Sequence, residues 1–203
     1  MPDLANRREH EAALAAALLN EFEAFRRSGQ RNSASASWSA LGVAIEEAAR
    51  PLLSAIFQDA AAALAGEQGI DQAEGIAAQA DAWAATRATE LSRQIVDTTI
   101  ETIAGRESLD GVLGSPRAEQ IAITETTRAI SAGEELIALI LLQTMQTELV
   151  PIWHTERDER VCPICRPLHG TGKEVYGRVS PSGPPAHPNC RCWLDYETKQ
   201  SST

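Results

Sequence analysis

The chain has 203 residues and a net charge of −10, with 43% hydrophobic residues but only 4% aromatic ones. That length accommodates one medium domain plus a small module, and an Ala-rich, aromatic-poor composition favours closely packed helices over a sandwich of strands. Residues 1–150 hold 11 Arg, no Lys and 22 acidic residues, a net −11, while residues 151–203 hold 7 basic and 6 acidic residues, a net +1; the first part should repel a DNA backbone, which confines any phosphate contact to the tail.

Residues 4–27 read as a helix, because Leu14, Leu18, Phe22 and Phe25 recur at three- and four-residue steps and Ser28-Gly29 offers a stop. Residues 28–37 form a polar, small-residue connection. A second helical pattern covers 38–65, with Leu41, Ile45, Leu52, Ile56 and Leu64 on one face; Pro51 lies inside it and predicts a kink or break near Arg50. A third runs over 71–104, marked by Ile76, Trp83, Leu91, Ile95 and Ile103. Residues 105–115 read as a loop with room for one helical turn. Pro116 suits the first turn of a fourth helix, capped by Ser115 and extending from about Arg117 to Leu149. Its apolar residues include Ile121, Ile123, Ile130, Leu136, Ile140 and Met145. Between 136 and 142 it is apolar on every side, so that stretch should be buried among neighbours or in a partner.

The N-terminus, Met1-Pro-Asp-Leu-Ala-Asn-Arg-Arg, lacks an apolar signal core. The apolar run Leu136 to Leu142 is seven residues, far below the roughly 18 a membrane span needs. These features predict a soluble protein made in a reducing cytoplasm, where a cysteine pattern reads as metal binding or catalysis before disulfide.

Seven of the ten prolines lie from Pro151 onward. That shift divides the chain into a helical body, 1–150, and a C-terminal module, 151–203. All four cysteines fall in the module, as Cys162-Pro-Ile-Cys165, then 24 residues, then Cys190-Arg-Cys192, with His187 three positions before Cys190. A segment this short and rich in Pro and Gly cannot hold itself together by burial alone. A Cys-x-x-Cys turn presents two sulfurs to one ion, and cysteines two apart on an extended segment face the same side. Cys162, Cys165, Cys190 and Cys192 would complete a four-thiolate shell around a structural zinc. His187 could replace Cys190 or Cys192, or support the shell from behind; His169 is a weaker candidate. A filled shell leaves no open position for catalysis. The alternatives are buried or disulfide-paired cysteines without metal, and a zinc-supported nuclease in which His154, His169 or His187 activates water. A zinc deaminase is disfavoured because His-x-Glu ahead of Pro-Cys-x-x-Cys is missing. A redox Cys-x-x-Cys is disfavoured because no strand-helix-strand pattern surrounds it.

The run Asp158-Glu-Arg-Val-Cys-Pro-Ile-Cys-Arg-Pro-Leu-His-Gly170, followed by Pro-Pro-Ala-His-Pro-Asn-Cys-Arg-Cys192, closely resembles the phage Mu F-like minor head protein family, also called phage head morphogenesis proteins. The segment Arg117-Ala-Glu-Gln-Ile-Ala-Ile-Thr-Glu-Thr-Thr-Arg-Ala129 looks like the helix that precedes the cysteine module there. The resemblance covers about residues 110–195; residues before 110 are matched to nothing. It implies a structural, non-enzymatic component of a tailed-phage head, made in the host cytoplasm beside the portal protein and located in the virion. Portal protein or major capsid protein are its implied partners, with exit alongside the DNA within the family's range. The family pattern carries over to Cys162, Cys165, His187, Cys190 and Cys192 as metal ligands, with no catalytic residue, and to Thr124, Glu125 and Arg128 on the upstream helix. Many relatives carry an acidic residue where His169 stands. The competing class is a zinc-supported nuclease or toxin-like effector.

Glu125 and Arg128, spaced i, i+3, could form a solvated pair or dock the module onto the body. Trp153 and Trp193 bracket the module and should pack its base against the helices. Arg160, Arg166, Arg178 and Arg191 are the candidates for a weak DNA contact. The expected architecture is mainly α: an elongated helical bundle followed by a small zinc-binding α+β module, with no membrane segment.

Overall fold

A computed structural model describes residues 6–28, 35–70, 75–104, 108–156, 158–159 and 161–199. Four long helices dominate: α1 (Arg7–Arg27), α2 (Ser35–Glu67), α3 (Ile76–Ala104) and α5 (Ser115–Met145), with a single turn, α4 (Leu109–Val112), between α3 and α5. Ser108 caps that turn by accepting from the Gly111 N–H. A three-stranded antiparallel sheet follows, ordered β2-β1-β3, from β1 (Leu149–His154), β2 (Thr171–Gly172) and β3 (Trp193–Thr198). A 3₁₀ turn (Arg166–Leu168) and the short helix α6 (Lys173–Tyr176) lie between β1 and β3. The architecture is mainly α with a small C-terminal strand module, as the sequence predicts.

The bundle core joins Leu14, Leu18 and Phe22 of α1 to Ile45, Leu53 and Ile56 of α2, Leu91 and Ile95 of α3, and Ala118, Ala122 and Ile130 of α5. Alanines at the α5 contacts let the backbones come close. Gly133 takes this furthest, since a Cβ there would overlap the carbonyl oxygen of Phe57 on α2. A second cluster, including Leu64, Ile76, Ile137, Leu141 and Leu149, carries the core from the bundle to the first strand. A third, within the C-terminal segment, consists of Trp153, Cys165, Leu168, Tyr176, Cys190, Cys192 and Leu194.

Several expectations are corrected. No break occurs at Pro51: α2 runs through it unbroken. Pro51 and Glu47 are both exposed, so the carbonyl that loses its helical partner can turn to water. The N-cap of α5 is Gly114, not Ser115, whose hydroxyl instead donates to Glu119 Oε1 at 2.6 Å. The helix stops at Met145, with Gln146 left-handed at φ 53°, and Leu149 opens β1 rather than closing the helix.

The stretch 136–142 is not uniformly buried. Ile137 and Leu141 are, but Leu139 and Leu142 are 48% and 47% exposed, and Met145 beyond them is 61% exposed. The buried face of α5 is built from Ala118, Ala122, Thr126, Ala129 and Gly133 as much as from large residues. Periodicity of bulky side chains therefore points to the flanks of this helix rather than to its contact stripe. The connection at 28–37 lies mostly outside the described residues.

Candidate metal centre and its seat on the bundle

Two segments of the C-terminal module bring their cysteines and histidine to one place. The Cys162–Cys165 turn directs both sulfurs at the His187 ring: Nε2 lies 2.9 Å from Cys162 Sγ and 3.1 Å from Cys165 Sγ. The turn is closed by the Cys165 N–H, which donates to Cys162 Sγ at 3.3 Å. His187 Nδ1 lies 2.7 Å from the Pro188 carbonyl oxygen. A carbonyl only accepts, so Nδ1 carries the proton and the Nε2 lone pair is left facing the sulfurs. On the other side, Cys165 Sγ is 3.9 Å from Cys190 Sγ.

The donors form two overlapping groups, Cys162–Cys165–His187 and Cys165–Cys190–Cys192, each with its ligand atoms within 4.8 Å of one another. Cys165 belongs to both. Cysteine sulfurs bound tetrahedrally to zinc at about 2.3 Å lie roughly 3.8 Å apart, which matches the Cys165–Cys190 separation. A void of about 20 Å³ opens beside Cys162, Cys165, His187 and Cys192, room on the order of one ion or water. These Cys and His groups are close enough to hold a metal ion, and the donor set is the soft S/N combination that zinc favours. His169 is held elsewhere, its Nδ1 accepting the Thr155 N–H at 3.1 Å.

Electrostatics of the buried sulfurs favour a cation. Hydrogen bonds from the Cys165 and Cys192 thiols, helped by the backbone N–H groups of Cys192 and Ala186, pull the Cys190 thiol well below its ordinary range. Cys165 moves up because its proton serves Cys190. Cys192, despite a lowering hydrogen bond with Cys165, is pushed up to about 12 by Cys190 and burial. Three sulfurs this close hinder one another's ionisation, a conflict that a divalent cation would relieve.

The cluster is seated on α5 through two threonines one turn apart. The Asn189 N–H donates to Thr124 Oγ1 at 3.0 Å, and that hydroxyl donates to the Gln120 carbonyl at 2.7 Å. Thr127 Oγ1 lies 2.7 Å from the Cys190 carbonyl oxygen and 2.9 Å from that of Ile123, and receives an N–H from the buried Arg7 at 2.5 Å. Asn189 is left-handed at φ 61°, a conformation asparagine tolerates well, and this points its N–H at the helix.

Thr127 went unnoticed in the sequence; its signal is the i, i+3 repeat with Thr124. Glu125 does pair with Arg128 as the i, i+3 spacing suggests, but its carboxylate is buried rather than solvated and its main partner is Arg87. It is 3% exposed and takes both Arg87 Nε (2.5 Å) and Arg87 Nη2 (2.8 Å) from α3. Arg128 Nε approaches the same carboxylate at 3.5 Å. The Arg87–Glu125 pair locks α5 to α3.

The tryptophans also differ from expectation. Trp153 is fully buried inside the module, against Tyr176 (ring centroids 5.4 Å) and among the cysteines. Trp193 is half-buried and stacks on His154 at 5.8 Å. Of the phosphate candidates, Arg191 is occupied by a two-oxygen bond to Asp158, both contacts at 2.9 Å. Arg166 lies near the Val161 carbonyl, Arg178 is exposed, and Arg160 lies outside the described residues. No helix is long and apolar enough to cross a membrane among the described residues.

A family model described as "Phage Mu protein F like protein" matches residues 84–195, more than half of the chain. The match begins in α3, so it reaches further upstream than the resemblance near residue 110. It takes in the Arg87–Glu125 pair, both threonines and the whole Cys/His cluster. No curated protein and no solved structure matches the chain.

Proposed function

This chain belongs to the phage Mu protein F-like family, and from that premise we propose that it is a minor structural protein of a bacteriophage head, acting in head morphogenesis at the portal or the inner capsid surface. Family membership supports the coarser part, a phage head protein in contact with other virion components. The finer placement is our reading, as is exit with the genome.

Within that role, residues 151–203 act as a zinc-clipped module on the helical body of residues 1–150, and the ion is structural. Four ligands come from Cys162, Cys165, His187, Cys190 and Cys192. The observation that carries this reading is the convergence of all five donors around Cys165, on a loop whose backbone is seated on α5. Zinc there would tie the 162–165 turn to the 187–192 loop, which otherwise share little core. Such a part gives a head protein a rigid surface without a large domain.

The test has two arms. Freshly reduced protein should contain about one zinc per chain by elemental analysis, and quantitative mass spectrometry of purified heads should find the chain at low copy relative to the major capsid protein. Metal-free protein with all four thiols freely titratable and an unchanged fold overturns the zinc reading. Absence from purified heads, with nuclease activity that a chelator abolishes, overturns the structural reading in favour of an enzyme.

A further inference from the structure

The C-terminal half of α5, β1, α6 and β3 enclose an open groove of about 350 Å³. Its apolar walls are Ala138, Leu139 and Leu142 on the helix side, and Val150, Tyr176 and Tyr196 on the other. Leu139 and Leu142 form an apolar ridge along its helical lip, both about half exposed. Large apolar side chains at this spacing usually face a core or a partner.

The groove is lined by Glu135, Glu148 and Glu174 and by Lys173. Glu148 pairs with Lys199 at 2.8 Å, so the acidic character of the rim rests on the exposed Glu135 and Glu174. The phenols on its floor sense the same field. Tyr176 is pushed up to about 12, first by burial and then by Glu135 and Glu174. Tyr196 is raised by burial and then by Glu134, Glu135 and Tyr176. The last turn of α5 ends beside the groove and adds the negative end of a helix dipole. A second copy of this chain is a poor occupant, because each carries −10 and would bring a like charge to an acidic rim.

We infer that this groove docks an amphipathic helix with a basic flank, supplied by another protein of the same particle. The mode is helix-in-groove: apolar anchors at i, i+3, i+4 and i+7 fill the space between α5 and the sheet, while Lys or Arg residues on the flank meet Glu135 and Glu174. The identity of the occupant as a virion component rests on the head-protein reading above; the groove's preference for a basic apolar helix does not.

The experiment uses the full chain and a labelled synthetic peptide with a Leu/Ile stripe flanked by Lys, followed by fluorescence anisotropy. A second peptide keeps the stripe with Glu flanks, and a third keeps the Lys residues with the stripe scrambled. The Lys-flanked peptide should bind, more weakly as salt rises, and the other two should not. The double variant Leu139→Asp/Leu142→Asp should weaken binding about tenfold or more. Both positions are exposed, so circular dichroism and zinc content should match the parent. Equal binding of the Glu-flanked peptide, or binding unaffected by the double variant, overturns the proposal. So does a parent dimer in sedimentation that the double variant splits, since the occupant is then a second copy. In phage carrying each version, parent and variant present in heads at the same copy number also overturn it while leaving the head reading intact. A parent chain missing from heads sinks the head reading and leaves the peptide result standing.

Discussion

The bundle and the C-terminal segment solve the same problem with different means. In the bundle, Leu14, Leu18, Phe22, Ile45, Leu53 and Ile56 are wholly removed from water, each contributing about 1.5–3 kcal/mol of transfer free energy. Its helices close on one another through alanines and Gly133. In the C-terminal segment, three of the seven buried core residues are cysteines, and the loops between strands are long. Apolar burial there is thin, and in the reading proposed above directional bonds to a zinc ion take over. The contrast teaches that a short segment appended to a stable bundle need not grow its own core; it needs one strong point and a seat.

The largest test of that contrast removes the point. Zinc at such sites is worth about 10–16 kcal/mol of apparent binding free energy. Cys165→Ser, which cuts the one donor shared by both groups, should abolish zinc content and erase the near-ultraviolet signal of the buried Trp153. The far-ultraviolet helix signal should persist. Acidification should release the metal as well, because protons compete for thiolates and imidazole. Collapse of the helices together with the module would break the comparison.

Next in size is a charge buried in the bundle. Glu125→Ala removes the two-oxygen partner of the Arg87 guanidinium but leaves it Glu90 at 3.0 Å and Gln94 at 3.3 Å, so the loss should sit near the low end of the about 3–5 kcal/mol that a broken buried pair costs. Thermal unfolding should move well downward while zinc per chain stays constant. An unchanged midpoint would mean that the pair is solvated in solution.

Smaller still, Gly133→Ala should cost about 1–3 kcal/mol by overpacking α5 against α2, read as a lowered denaturation midpoint with an unchanged denaturant slope. A similar loss belongs to the seat, with a local signature. Thr127→Val takes a hydrogen-bond partner from the Cys190 carbonyl and from the buried Arg7, should cost about 1–3 kcal/mol, and should raise amide hydrogen exchange around Cys190–Cys192 first. Exchange that rises only with global unfolding would show that body and module are one cooperative unit.

Much of this was legible in residue order. The long helices and the core positions of α1 follow from three- and four-residue spacing, and the Cys/His cluster from composition and spacing. What stayed hidden has physical causes. The contact stripe of α5 is made of small residues, which carry little periodic signal. Pro51 breaks nothing because it faces solvent, and exposure is a tertiary property that a proline motif does not encode. The partner of Glu125 lies 38 residues away, beyond any local spacing rule, and the seat uses main-chain atoms, which every residue possesses equally.

That last feature reaches beyond this molecule. The hydrogen bonds of the joint come, on the module side, from an amide and a carbonyl of Asn189 and Cys190 and, on the helix side, from two hydroxyls, beside the packing of Tyr196 on the Ile137–Leu141 cluster. A coupling of this kind places little demand on surrounding side chains. The outward face of the module can therefore drift rapidly in sequence, to follow a changing neighbour, while its attachment stays the same. Grafting such a tail onto an unrelated helix would require a pair of threonines one turn apart, room for the loop and an apolar stretch of helix to receive Tyr196.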